Sequence, residues 1–174
     1  MSLGQKFVCS AGVAQLAACM MCAASSAHAG AWLADAKSGC QVWDPSPQIG
    51  ETVAWSGTCA SGRAEGTGTV QWLKGKTAVE TDKGEWRNGR QVGKGVQAWA
   101  TGSYEGELSE GEPDGQGVLT MQRLRYVGQF RDSKPNGIGS LTENGQTVRG
   151  TWKDGCLQGG RRRASIGVPL SACR

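Results

Sequence analysis

The sequence predicts an all-β protein, a single-layer, twisted antiparallel meander of consecutive β-hairpins, and three observations predict it. From Tyr104 the chain reads YEGELSEGEPDGQGVLTM, and from Tyr126 it reads YVGQFRDSKPNGIGSLTE, one template laid down twice. One glycine column runs through Gly57, Gly84, Gly106, Gly128 and Gly150, at spacings of 27, 22, 22 and 22 residues. A Gly-x-Gly pair follows the first four of these at a constant interval: Gly66/Gly68, Gly93/Gly95, Gly115/Gly117 and Gly137/Gly139. Self-similarity at this period marks a repeat array, in which each hairpin-sized unit buries its apolar face only against its neighbours.

Pairing explains why glycine recurs. With a four-residue loop at Gly111, Glu112, Pro113 and Asp114, Tyr104 is expected opposite Met121, Gly106 opposite Leu119 and Leu108 opposite Gly117. A second four-residue loop, 122–125, sets Met121 opposite Tyr126, Leu119 opposite Gly128 and Gly117 opposite Phe130. Large then meets small along the sheet, neighbouring strands approach closely, and the sheet twists.

These anchors resemble the MORN repeat (membrane occupation and recognition nexus), whose signature is Y-x-G-x-W-x-x-G-x-x-x-G-x-G. The resemblance covers residues 55–159, with departures at Asp82 for the first aromatic of the second copy, Ser133 for a turn glycine of the fourth and Arg161 for the last glycine of the fifth. The fifth copy reads as a truncated cap. The resemblance implies a non-catalytic binding or assembly module, and a link to phospholipid contact as well as to protein partners.

In chain order, residues 1–29 read as an export signal: Lys6 is the positive start, residues 7–24 are apolar and small, and Ala27-His28-Ala29 is an A-x-A cleavage site. A transmembrane anchor is disfavoured by Gln15 and the Ala/Ser content. Leu16-Ala17-Ala18-Cys19 offers another reading, a lipobox that would leave a lipoprotein anchored through Cys19. The protein is therefore expected to be periplasmic or secreted. Cleavage at Ala29 would remove His28, the one histidine of the chain, and lower the formal charge of +4 by one.

Four cysteines then remain, Cys40, Cys59, Cys156 and Cys173, an even set that in an oxidising compartment favours disulfides over metal ligation or thiol chemistry. Residues 30–54 form a strand-and-turn segment ahead of the array, with Cys40-Gln41-Val42-Trp43 strand-like and Asp44-Pro45-Ser46-Pro47 turning. Pairing this segment antiparallel to the first copy sets Cys40 opposite Cys59 and Val42 opposite Gly57. That favours Cys40–Cys59 and, by remainder, Cys156–Cys173, out of three possible connectivities. The array spans 55–160, about four and a half repeats; residues 161–174 are a basic cap or tail. Between Trp72 and Asp82 the connection is longer than elsewhere, and Leu73-Lys74-Gly75-Lys76 is expected to protrude as a loop.

Alternation assigns the faces. Trp55, Trp72, Trp86, Trp99, Tyr104, Leu108, Met121, Tyr126, Phe130 and Trp152 share one side, with Val70, Leu119 and Leu141 in the row between. Lys83, Glu85, Arg87, Glu105, Glu107, Arg149, Thr151 and Lys153 share the other. Trp72, Trp86, Trp99, Tyr104, Met121, Tyr126 and Phe130 are the expected partner-binding residues, if part of the aromatic row stays open as a groove.

Two charge clusters carry less. Glu105, Glu107, Glu110, Glu112 and Asp114 do not match a calcium-loop spacing and read as a solvated face. Arg161-Arg162-Arg163 is a basic patch suited to anionic lipid or to solvent. Neither a metal nor a cofactor is expected, nor a nucleic-acid partner, and no convergent set of titratable groups announces catalysis. The expected function is a non-catalytic, exported protein-binding or assembly scaffold, self-association included. A peripheral phospholipid-binding module is the alternative, and a glycan-binding protein or carboxylate-based hydrolase stands further off.

Overall fold

Asn-Gly and Asp-Gly dipeptides favour two-residue hairpin turns, because both residues must take left-handed backbone angles. In a computed structural model of the chain, which describes residues 30–159 and 163–173, that turn recurs throughout. Asn88-Gly89, Asn144-Gly145 and Asp154-Gly155 have positive φ at both positions, and so do Ser61-Gly62, Glu110-Gly111 and Asp132-Ser133.

The turns join twelve strands among the described residues: β1 (Ala31–Ala34), β2 (Gln41–Asp44), β3 (Glu51–Ala60), β4 (Arg63–Lys74), β5 (Thr77–Arg87), β6 (Arg90–Trp99), β7 (Gly102–Ser109), β8 (Glu112–Met121), β9 (Leu124–Arg131), β10 (Lys134–Glu143), β11 (Gln146–Lys153) and β12 (Cys156–Leu157). From β4 to β12 each strand pairs with the next, and β3 pairs with β4. The result is the expected antiparallel meander in one sheet. The export signal with its Ala27-His28-Ala29 site, Cys19, and Arg161 and Arg162 lie outside the described residues.

The register differs from the expected one by two residues. Tyr104 lies opposite Leu119 and Gly106 opposite Gly117, while Leu119 lies opposite Tyr126 and Gly117 opposite Gly128. The connections are Glu110-Gly111 and Gln122-Arg123, two residues each where four were expected. A shift of two keeps every side chain on its face, so the face assignment survives while the opposite numbers change. Glycine meets glycine, and Gly68, Gly84, Gly95, Gly106, Gly117, Gly128, Gly139 and Gly150 form one continuous row across β4 to β11.

The two glycines of each Gly-x-Gly pair do different work. The first, Gly115 at φ 111° or Gly137 at φ 111°, takes a left-handed angle where the register slips at a bulge. The second leaves room for a ring. A Cβ on Gly117 would come within 2.5 Å of the Tyr104 ring, and one on Gly139 within 2.6 Å of the Tyr126 ring. Each tyrosine therefore lies flat along the glycine row rather than standing off the sheet.

Hairpin tips tie each repeat to the one before. The amides of Gly89, Gly111, Ser133 and Gly155 donate to the carbonyls of Ala64, Gln91, Pro113 and Pro135, at 2.9, 2.9, 3.0 and 2.9 Å. Ser133 thus keeps the bond made elsewhere by a glycine.

Two expectations for the ends are corrected. The β2 strand does not pair antiparallel with β3 of the first copy, as expected: it pairs antiparallel with β1 and touches the first copy through one parallel bridge to β4, Gln41 to Arg63. The reason is the hairpin tip, whose Gly62 carbonyl accepts from the Gln41 amide at 2.9 Å and turns the segment along the sheet end. The long connection is no loop either. Leu73 and Lys74 continue β4, and the turn falls after them, so this hairpin is extended rather than open.

The apolar face gathers two clusters. One holds Cys40, Val42, Val53, Ala64, Val70, Trp72 and Trp86; the other holds Tyr104, Leu108, Leu119, Tyr126, Phe130, Leu141, Trp152, Leu157 and Ile166. Cys40 is bonded to Cys59 and Cys156 to Cys173, with Cα separations of 5.8 and 5.5 Å.

Candidate functional site

Alternation in β5 to β9 sends the aromatic side chains to one face, and there the structure places all seven expected partner-binding residues. Burial divides them. Trp72, Trp86, Tyr104, Tyr126 and Phe130 are buried, whereas Trp99 and Met121 are half-buried against the second cluster. Phe130 stands edge-on to both tyrosines with ring centres 5.1 Å apart, and Tyr126 packs edge-on against Trp152 at 5.2 Å. The tyrosine hydroxyls bond inward, Tyr104 to the Glu107 carbonyl at 2.7 Å and Tyr126 to the Gln129 carbonyl at 3.2 Å. Most of the row is thus core. The rings lie along the glycine row and pack edge-on against one another, and periodicity alone does not register that.

Burial pushes the phenol of Tyr126 up to about 12, and that of Tyr104 further, because Glu107 and Asp114 add to the desolvation.

The opposite face is uncovered. Glycines of the central row thin the sheet there, and a groove of about 730 Å³ runs over β5 to β9, with Val96, Val118 and Val127 on its floor and Lys83, Lys94, Glu105 and Glu107 around them. Val118 lies directly opposite Val127. Val127 is 38% exposed, and Ile138 on the neighbouring strand is 74% exposed. This apolar stripe was legible in the alternation, but the size of the tryptophans on the other face drew attention from it.

The acidic cluster has local tasks. Glu107 Oε2 accepts from the Gln116 amide at 3.0 Å, bridging the bulge beside Gly115, and Gln129 Oε1 does the same for Ile138 at 2.8 Å. Glu110 pairs with Arg90 at 2.8 Å across two hairpin tips. Arg163, the described member of the basic run, donates to the carbonyls of Cys173 and Leu170 at 2.6 and 3.2 Å and so ties down the C-terminal segment.

Three buried polar side chains were not singled out together from the sequence: Asp82, Gln91 and Gln97. Trp72 Nε1 donates to Asp82 Oδ2 at 2.6 Å, and Gln97 Nε2 donates to the Gly111 carbonyl at 2.9 Å and to Gln91 Oε1 at 3.2 Å. Burial, the nearby Glu80 carboxylate and, more weakly, that of Asp44 hold the carboxyl of Asp82 well above the usual range, against the lowering bond from Trp72. A column-by-column comparison of the copies would have found all three.

Consecutive two-stranded units, tied tip to strand and carrying an open face, define a β-hairpin repeat protein. Residues 83–103, 104–122 and 126–147 match the MORN repeat family model, so the chain carries three consecutive MORN repeats. Outside the matched stretch the glycine row continues, to Gly68 on one side and Gly150 on the other. Comparison with curated proteins gives no match. MORN repeats commonly take part in protein or membrane-lipid interactions.

Proposed function

We propose that the protein is a non-catalytic, exported scaffold that binds a protein partner on its open sheet face. The observation that carries this reading is the groove. Its Val96, Val118 and Val127 floor, continued by exposed Ile138, is rimmed by charges of both signs. An apolar centre with a mixed polar rim suits a protein surface. An anionic lipid surface would instead favour clustered cations, and here Glu105 and Glu107 stand beside Lys83 and Lys94. Two disulfide-bonded pairs support an oxidising compartment, periplasmic or extracellular.

The test compares wild type with Val127→Glu/Ile138→Glu as bait in the protein's own envelope fraction, alongside sedimentation and anionic vesicles. Capture or self-association by wild type, lost in the variant at unchanged melting temperature, supports the reading. Salt-sensitive vesicle binding by both proteins, with no chain captured, overturns it in favour of the lipid module.

A further inference from the structure

The chain has three asparagines, and glycine follows each of them: Asn88-Gly89, Asn136-Gly137 and Asn144-Gly145. Such a pair can close on itself. Glycine has no Cβ to shield its nitrogen, so that nitrogen can reach the side-chain amide carbon of the asparagine before it. In the unfolded chain the three pairs are therefore close to equivalent, and only the fold can separate them.

It separates them by what holds the glycine nitrogen. At the Asn88 tip the Gly89 amide donates to the Ala64 carbonyl at 2.9 Å, and Gly89 is buried beneath Trp32, whose ring would lie 2.6 Å from an added Cβ. The backbone amide of Asn88 is engaged as well, donating to Glu65 Oε2 at 2.9 Å. Asn136 lies within β10, where Gly137 is paired opposite Trp152 and the Asn136 side chain donates to Asp154 Oδ1 at 3.3 Å. A residue inside a ladder cannot turn its backbone toward its own side chain without giving up paired N–H and C=O groups.

Asn144-Gly145 differs on each count. This tip, between β10 and β11, is tied to its neighbour through its first residue, the Asn144 amide donating to the Arg123 carbonyl at 3.1 Å, whereas the tips at Gly89, Gly111, Ser133 and Gly155 are tied through their second. Among the described residues the Gly145 amide has no hydrogen-bond acceptor. Both residues are exposed, and nothing lies within 4 Å of an added Gly145 Cβ. The turn holds left-handed angles, φ 49° at Asn144 and 77° at Gly145, so ring closure needs it to open. An exposed tip with few packed neighbours opens locally at small cost, without unfolding the sheet.

We propose that Asn144 is a site of spontaneous modification, deamidated by water through a cyclic imide formed with the Gly145 nitrogen, while the fold protects Asn88 and Asn136. The Gly145 nitrogen gives up its hydrogen and bonds to Asn144 Cγ; the Cγ–Nδ2 bond breaks, and ammonia leaves with that hydrogen. Water then opens the imide at one of its two carbonyls, giving aspartate or isoaspartate and releasing a proton to solvent. Either product sets a new carboxylate beside Glu143, and isoaspartate also lengthens the backbone of the turn.

The experiment incubates the full chain at mildly alkaline pH, folded and in urea, and follows each asparagine by mass spectrometry of its peptide. In urea all three should convert at comparable rates. In the folded protein Asn144 should convert at least about tenfold faster than Asn88 or Asn136, since each of those must first break hydrogen bonds that Asn144-Gly145 lacks. Conversion of Asn88 or Asn136 as fast as Asn144 in the folded protein overturns the proposal. So does a folded Asn144 that stays intact while the urea-treated chain converts. The same ranking in urea overturns it too, because local sequence rather than the fold would then set the rates. In Asn144→Gln, whose longer side chain closes a ring far less readily, the acidic form seen by isoelectric focusing should no longer accumulate, and accumulation at the wild-type rate overturns the proposal.

Discussion

The hydroxyl of Tyr104 donates to the carbonyl of Glu107, 2.7 Å away and three residues on, so the ring lies along its own strand and over Gly106 and Gly117. Tyr126 repeats the arrangement over Gly128 and Gly139. Aromatic and glycine in this repeat are one device: the missing side chains make the trough that the ring fills.

Adding a side chain to the trough should therefore destabilise the fold. A Cβ at Gly128 would meet the Gly139 Cα at 2.5 Å and the Ile138 carbonyl at 2.6 Å, both backbone atoms that cannot swing aside. Gly128→Ala and Gly106→Val are each expected to cost about 1–3 kcal/mol in urea unfolding, as overpacking does. Thr151→Ala, exposed on the other face, should stay within about 0.5 kcal/mol of wild type. Equal midpoints for all three would refute the packing.

The chain has two tyrosines, and both are buried with raised phenol pKa values. In the unfolded chain a tyrosine ionises near pH 10. Because the folded values are higher, the unfolded state releases its protons first. The tyrosines' contribution to stability is then constant below about pH 10 and is lost as pH rises toward 12. Tyrosinate absorbance should appear later in the native protein than in denatured protein, and Tyr126→Phe should flatten part of the alkaline loss.

Asp82 tests the opposite end of the pH scale. Burial and Glu80, with Asp44 adding to the effect, hold its carboxyl well above the usual range, while in the unfolded chain it ionises near the ordinary aspartate value. Stability from this group is present below that value and declines as pH rises through the folded pKa. Asp82→Asn should raise the denaturation midpoint more at pH 7 than at pH 4. A difference between variant and wild type that fails to grow from pH 4 to pH 7 would contradict the raised Asp82 pKa.

Each disulfide closes a short loop at one end of the sheet, with sequence separations of 19 and 17 residues. Chain-entropy arguments give each bond roughly 3 kcal/mol. Mass spectrometry of the protein purified without reductant should find none of Cys40, Cys59, Cys156 and Cys173 as a free thiol. Cys156→Ser/Cys173→Ser should speed hydrogen exchange around Leu157 and Ile166 while leaving Tyr104 and its neighbours protected, since the hairpin-tip bonds there do not pass through the C-terminal segment.

The repeat period, the hairpin meander and the shared face of the aromatic row from Trp55 to Trp152 were determined by the sequence alone. Strand alternation has a period of two, and even a register error of two residues leaves it intact. Tertiary structure decided the rest. Two-residue turns at Glu110-Gly111 and Gln122-Arg123 set glycine against glycine, and turn geometry rather than side-chain size fixes which residues meet. Ring-on-ring packing between strands buried Trp86, Tyr104 and Tyr126 and left Val127 and Ile138 exposed, because a face is covered or open only through contacts between strands. For the same reason the sequence displayed Asp82, Gln91 and Gln97 separately, and only the seam between two apolar clusters brought them together in one cleft.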